Sequence, residues 1–262
     1  MNTRNEMIKR FADELYESLY SAKAIEPLST RQSDITIDEA YAIQMLNVQK
    51  ELDKGKIITG KKIGLTSKAM QNLFSVDQPD YGHLFNDMEV EFDGMIQMAD
   101  LIAPRVEAEI AFKLNRGLSG SNLTVEEVLD ASESVVASLE IVDSRVQDWK
   151  IKIWDTVSDN ASSCRYVLGK TWLDPKKVDL KAIQMSFYRN GELVNEGKGS
   201  DALGDPAFCV AWLGNRLSQY NVQLNAGEVI LSGALSAAVP AQKGDRFEAK
   251  FSELGSVSVS FG

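Results

Sequence analysis

The 262 residues carry 28 Lys and Arg against 38 Asp and Glu, a net charge of −10, with 44% hydrophobic and 25% charged side chains. Such proportions can build a sizeable core, in one large unit or in a core with a helical preface. The acidic balance argues against nucleic acid, which needs clustered Lys and Arg, and against adhesion to anionic membranes.

The opening, "MNTRNEMIKRFADELYESLY", carries acids throughout and has no apolar stretch of the signal-peptide kind. No later run approaches the roughly 18 apolar residues of a membrane span, so a cytoplasmic location is expected. Residues 5–21 read as an amphipathic helix, with Met7, Phe11, Leu15 and Leu19 on one stripe. "PLSTRQSD" is a polar connection. A capping box from Thr36 to Glu39 opens a second helix whose stripe is Tyr41, Met45, Val48 and Leu52, stopping at Gly55. Residues 1–56 are therefore expected to form a helical segment and 57–262 a β-rich core, together one structural unit.

From residue 57 the texture is β. Strands are expected over 57–65, 88–97, 106–114, 135–142, 183–189, 228–232, 246–251 and 256–261, with turns at "RNGE", "QKGD" and "ELGS". Two helices interrupt: "TVEEVLDASE", with a capping box from Thr124 to Glu127, and "DPAFCVAWLGNRL", with Asp205 as cap and Pro206 at the first position. The pattern is α+β with mixed or antiparallel sheets and not a βαβ series. There is no GxGxxG, P-loop or GxSxG motif. Cys164 and Cys209 have no metal-site spacing; free buried thiols are expected in a reducing compartment, with a disulfide the open alternative.

"PRVEAEIAF" alternates, so Glu107 and Glu109 share one face of a strand. Alone they suit a solvated face. Glu140, flanked by Leu139, Ile141 and Val142, lies in a run typical of a covered strand. A buried carboxylate needs a partner: either an internal salt bridge, for instance to Arg145, or a cation shared with other acids. With one histidine in the chain, a zinc site of the usual kind cannot be assembled. All-oxygen ligation selects Mg²⁺ or Mn²⁺, ahead of Ca²⁺. Of the adjacent Lys61 and Lys62, one is expected to point inward with a lowered pKa, unless both lie on a solvated edge. His83 reads as an incidental loop residue. Trp149, Trp154 and Trp172 read as core or subunit interface.

The blocks "GKKIGLTS", "VDQPDYGHLF", "PRVEAEIAF", "LEIVDSRVQDWKIKIWDTVSDNAS" and "GEVILSGAL…GDRFEA" together resemble the 2-hydroxypenta-2,4-dienoate (2-keto-4-pentenoate) hydratases of the fumarylacetoacetate hydrolase superfamily. The likeness runs in order from about residue 10 to the C-terminus. It implies a mixed β-roll core preceded by helices, and Mg²⁺ or Mn²⁺ held by Glu107, Glu109 and Glu140. It also implies Lys62 and Asp80 as proton-handling residues, Ser162 and Ser232 as substrate contacts, and a homo-oligomer. The implied reaction adds water to a small 2-hydroxydienoate in the breakdown of aromatic compounds. The closely similar 4-oxalocrotonate decarboxylases share most of these blocks: "SSCRYVLG" and "AAVP" lean towards them, whereas the opening and "QDWKIKIWDTVSDNAS" look like the hydratases. The balance favours a hydratase. A silent subunit associated with a related pathway enzyme is the alternative of another class.

Overall fold

The computed structural model describes residues 3–262 apart from 68–70, 73–75, 77 and 221; Asp77 of "VDQPDYG" thus lies outside the described residues. Three helices come first: α1 (Thr3–Ser21), the short α2 (Leu28–Arg31) and α3 (Ile37–Asp53). The Thr36 hydroxyl accepts from the Glu39 backbone N–H while the Glu39 carboxylate accepts from Thr36 N–H, which starts α3 where the capping box predicts. Its buried face is Tyr41, Gln44, Val48 and Glu51; Met45 and Leu52, expected inside, are exposed. The polar Gln44 takes the inner position because its amide donates to the Tyr81 and Val157 carbonyls.

Next come β1 (Ile58–Gly64), β2 (Asp80–Phe85), β3 (Glu89–Val90), β4 (Met95–Ile96), β5 (Arg105–Leu114), α4 (Val125–Ala131) and β6 (Ser132–Val142). They are followed by α5 (Ile153–Ser158), β7 (Ser163–Leu168), β8 (Gln184–Arg189), β9 (Glu192–Lys198) and α6 (Pro206–Ser218). The chain ends with β10 (Val229–Ala234), β11 (Val239–Pro240), β12 (Arg246–Phe251) and β13 (Gly255–Phe261). The single strand expected over 88–97 is two short ones, because Asp93 adopts a left-handed φ of 60° and turns the chain between them. The sequence reading passed over β2, β7, β9, β11, α2 and α5.

The strands form two sheets. The larger runs β2-β1-β10-β5-β6-β7-β3, with β11 beside β5; the smaller runs β4-β13-β12-β8-β9. Most neighbours are antiparallel, but β1 and β10, β3 and β7, and β4 and β13 are parallel, so the sheets are mixed. Contacts between β2 and β7 show that the larger sheet curls back towards itself.

Register fixes what each face of that sheet carries. Paired residues share a face, and Gly60 pairs Val229, Lys62 pairs Leu231, Leu231 pairs Ala111, and Ala111 pairs Val136. The inner face therefore holds a dry cluster of Leu84, Ala111, Val136, Tyr166 and Leu231. On the outer face Ala108, Ile110, Phe112, Leu139 and Ile141 join the main core, where β12 and β13 pack against β6 and α6 against β10. Burial on both sides explains why 135–142 reads as an unbroken apolar run. Cys164 and Cys209 are both buried free thiols.

Candidate active site and metal centre

Along the same inner face the apolar floor gives way to charge. Glu107 stands directly opposite Glu140 across β5 and β6, and Glu109, opposite Ser138, is the next residue on that face. One carboxylate oxygen from each of the three lies within 4.8 Å of the others. Glu109 and Glu140 are fully buried, and Glu107 is half-buried at the edge of a cavity. Like charges placed opposite one another destabilise a sheet unless something positive lies between them.

Lys62 on β1 supplies part of that charge: its Nζ lies 3.2 Å from Glu140 Oε1. Gly233 N–H donates to Glu109 Oε2 at 2.8 Å. Beyond these contacts, Glu109 Oε1 and both Glu140 oxygens receive no hydrogen bond of ordinary geometry among the described residues. Buried carboxylate oxygens left without donors are what a cation-binding set looks like, and three acids with no nitrogen or sulfur ligand fit a hard divalent ion such as Mg²⁺ or Mn²⁺.

The electrostatics agree. Burial, then the neighbouring Glu140 carboxylate, raises Glu107 to about 7. The same two causes push Glu109 well above the ordinary carboxylate range, and burial raises Glu140 against the pull of Lys62. Burial also raises Asp80, again opposed by Lys62. For Lys62 burial alone would lower the ammonium, as the sequence suggested. The fields of Glu140, Asp80, Glu107 and Glu109 outweigh it, and the net shift is upward.

Asp80 opens β2 opposite Gly64 of β1. A Cβ at Gly64 would collide with Asp80 Oδ1, so the glycine is what allows this carboxylate to fold in towards Lys62. Lys61 is as buried as Lys62, on the outer face of the sheet, where Nζ lies 2.8 Å from each oxygen of Glu228. Lys62 is thus the lysine that faces the acids, and neither lysine is solvated because both faces of the sheet are covered. Arg145 does not pair with Glu140. It donates through Nε to Asp159 Oδ1 and through Nη2 to the Asp159 carbonyl at 2.5 Å. Burial raises Asp159 to about 6 despite this partner.

That pair braces an unusual turn. Asn160, Ala161 and Ser162 are consecutive non-glycine residues with φ of 52°, 51° and 56°, a conformation that costs roughly 1 to 2 kcal/mol per residue. The Asn160 amide holds it against β2, accepting from His83 N–H at 2.8 Å and donating to the His83 carbonyl at 2.9 Å. Strain of this kind collects where a site must present particular groups, and here it turns Ala161 and Ser162 into the cavity wall. His83 is not an incidental loop residue: it is buried within β2, and burial, with Lys61 nearby, lowers it to about 3, so it is neutral.

The cavity measures about 430 Å³. Lys62, Asp80, Glu107, Ser162 and Arg105 line it, with an apolar remainder including Val142 and Leu235. Of the residues expected from sequence, the structure brings together Glu107, Glu109, Glu140, Lys62, Asp80 and Ser162. Ser232 is placed elsewhere: its hydroxyl is wholly buried and donates to the Ile110 carbonyl at 2.7 Å, which ties β10 to β5. The sequence assigns Arg105 no role and reads Trp149 as core or subunit interface; the structure instead places Trp149, like Arg105, in the lining of this cavity.

A mixed, curled sheet bearing three convergent acids defines a class, and comparison with known proteins agrees with it. Residues 89–261 match the C-terminal region of the fumarylacetoacetate hydrolase family, and the chain belongs to that family. It is 44% identical to the 2-hydroxyhexa-2,4-dienoate hydratase of Comamonas testosteroni, over 98% of each chain. It is 45% identical to the 2-keto-4-pentenoate hydratase of Paraburkholderia xenovorans, over 95% of this chain and 93% of that one. Among solved structures it superimposes on the 4-oxalocrotonate decarboxylase of Pseudomonas putida G7, complexed with magnesium and adipate. That match has a TM-score of 0.96 at 31% identity and covers 100% and 99% of the two chains.

Proposed function

We propose that this chain is a divalent-metal-dependent hydratase that adds water to 2-hydroxypenta-2,4-dienoate, giving 4-hydroxy-2-oxopentanoate. The observation that carries the proposal is the placement of Glu107, Glu109 and Glu140 beside Lys62 at the wall of a cavity sized for a short organic acid. Full-length identity of 44–45% to hydratases, against 31% to the decarboxylase, supports hydration over carbon dioxide release.

The three glutamates would hold Mg²⁺ or Mn²⁺, which when bound supplies a Lewis acid for charge on the C2 oxygen. Lys62 and Asp80 handle protons. A proton leaves O2 of the dienol and one enters at C5, giving a C3–C4 double bond conjugated with the C2 carbonyl. Water oxygen then bonds to C4 as that water gives up a proton, and a proton is delivered to C3. Asp80, raised by burial, is able to hold a proton at the cavity edge, and the Lys62 ammonium lies in the field of the same acids. The left-handed turn presents Ser162 to the substrate, and the apolar part of the cavity wall, including Val142 and Leu235, limits bulk water.

The test uses freshly generated dienoate and, separately, 4-oxalocrotonate, each with Mg²⁺, Mn²⁺ or EDTA. Metal-dependent formation of 4-hydroxy-2-oxopentanoate is expected. Carbon dioxide from oxalocrotonate with the dienoate untouched would establish the second reading, a decarboxylase, towards which the segments "SSCRYVLG" and "AAVP" lean.

A further inference from the structure

Arg105 is the one cationic group of the cavity that the chemistry above leaves without a task. It opens β5 on the same face as Glu107, two residues away, a spacing of roughly 7 Å along a strand. Arg4, Arg10, Arg31, Arg145, Arg189 and Arg246 each lie within ion-pairing distance of an acid. Arg105, like Arg116, Arg165 and Arg216, has no such carboxylate among the described residues, but of these four it is the one that lines the cavity. Its guanidinium carbon instead lies 4.5 Å from the centre of the Trp149 ring.

The indole is itself held in place. Asp148 and Trp149 both adopt left-handed φ, 57° and 54°, and Trp149 Nε1 donates to the Ala103 carbonyl at 2.8 Å. Ala103 lies just before β5, so one hydrogen bond fixes the ring to the segment that carries Arg105. Stacking orients the planar fork while leaving its N–H donors unspent, and that fork matches a carboxylate in bidentate fashion. Most of the remaining wall is apolar.

We infer that Arg105, positioned by Trp149, is the residue that anchors a carboxylate of the substrate. The inference rests on the hydratase reading for the identity of that substrate, a 2-oxo or 2-hydroxy acid. The carboxylate is either C1, next to the acid cluster, or the far end of a diacid.

Arg105→Met, Arg105→Lys and Trp149→Ala are compared with the wild type on 2-hydroxypenta-2,4-dienoate and on 2-hydroxyhepta-2,4-diene-1,7-dioate, with Mg²⁺. Losing a charge-assisted bidentate contact should raise KM roughly ten- to hundredfold while kcat changes only a few fold. Arg105→Lys and Trp149→Ala should fall between that variant and the wild type. A rise for both substrates assigns C1, and a rise for the diacid alone assigns the far carboxylate. Unchanged KM for both, or a loss confined to kcat, overturns the inference. Calorimetric binding of the unreactive 2-oxopentanoate and 2-oxoadipate keeps the two readings apart. Tight wild-type binding weakened in Arg105→Met upholds the anchor even where no hydration is seen. Equal binding refutes it even where hydration is.

Discussion

Removing divalent cations with EDTA and titrating the protein should expose the electrostatic cost of gathering Glu107, Glu109 and Glu140. Glu107 stands at about 7 in the folded chain against 4.5 ordinarily. At 1.36 kcal/mol per unit this is on the order of 3 kcal/mol, an upper figure because Glu107 is only half-buried. The sign follows from a folded-state value above the unfolded one. The cation-free protein keeps this contribution below about pH 4.5 and loses it as pH rises through about 7. His83, lowered to about 3, works in the opposite sense: its contribution is full above pH 6.5 and lost as pH falls towards 3. It does so with or without a cation, so the difference between the two conditions isolates the acids. Bound Mg²⁺ displaces the protons, and its stabilisation should grow with pH. At roughly 2–4 °C per kcal/mol for a chain of this size, the gap in Tm between Mg²⁺ and EDTA should widen by roughly 6–12 °C from pH 5 to pH 8. Scanning fluorimetry at fixed ionic strength measures it. A gap that stays constant across that range would refute the cation site, as would a Glu109→Gln variant no more stable in EDTA than the wild type at pH 8.

Three further outcomes are expected. Lys62→Met should lower kcat by roughly 10²–10⁴ while Mn²⁺ affinity, measured by electron paramagnetic resonance, stays within a few fold or tightens; unchanged kcat would remove Lys62 from proton transfer. Lys61→Met leaves Glu228 buried without its ammonium and should cost about 3–5 kcal/mol in urea unfolding. Adding Glu228→Leu should restore much of this, and a stable single variant would show that the pair is dispensable. Gly64→Ala should displace the Asp80 carboxylate and reduce turnover with cation affinity unchanged, whereas full activity would mean that Asp80 has no part in the reaction.

The long elements were legible because each carries its own local signal. Capping boxes placed α3 and α4, the Asp205–Pro206 start placed α6, and strict alternation placed β5. β2 was not legible: "DYGHLF" is buried at all six positions, so it has no polar alternate, and it contains a glycine and the one histidine. α2 and α5 span four and six residues, too short for a helical period to show. The acid triad could be reached from sequence because Glu140 interrupts an apolar run, and burial alone makes that costly. The partners could not. Which of Lys62 or Arg145 meets Glu140 depends on how the curled sheet brings together β1 and β6, with β10 and β5 between them, which no local pattern records. Ser232 looked like a substrate contact from its motif, yet the bulge in β10 between Leu231 and Ala234 brings the Gly233 N–H to Glu109 instead. Arg105 was visible but unreadable, since an arginine beside a strand of acids looks like an ordinary salt-bridge partner until its lack of one is seen.

Charge balance explains why this arrangement suits a divalent cation better than another lysine. Glu107, Glu109, Glu140 and Asp80 gather around Lys62, with Arg105 and the exposed Asp201 further along the cavity wall, so acids outnumber cations there. A divalent ion offsets that excess. Burial raises all four acids, and neighbouring carboxylates add to the rise of Glu107, Glu109 and Glu140, so protons are the counter-charge available without it. Another lysine would add a single charge and fill the space where a substrate oxygen must approach, whereas a cation with open coordination positions would offset more of the acids and still accept that oxygen. The same balance suits the proposed substrate, which arrives as a carboxylate and gains negative charge on its C2 oxygen as it reacts, because Arg105 and the cation would then each meet an anionic group. The protein spends stability on the repulsion in advance, and binding of the cation and substrate returns it at the point where the reaction needs charge held still.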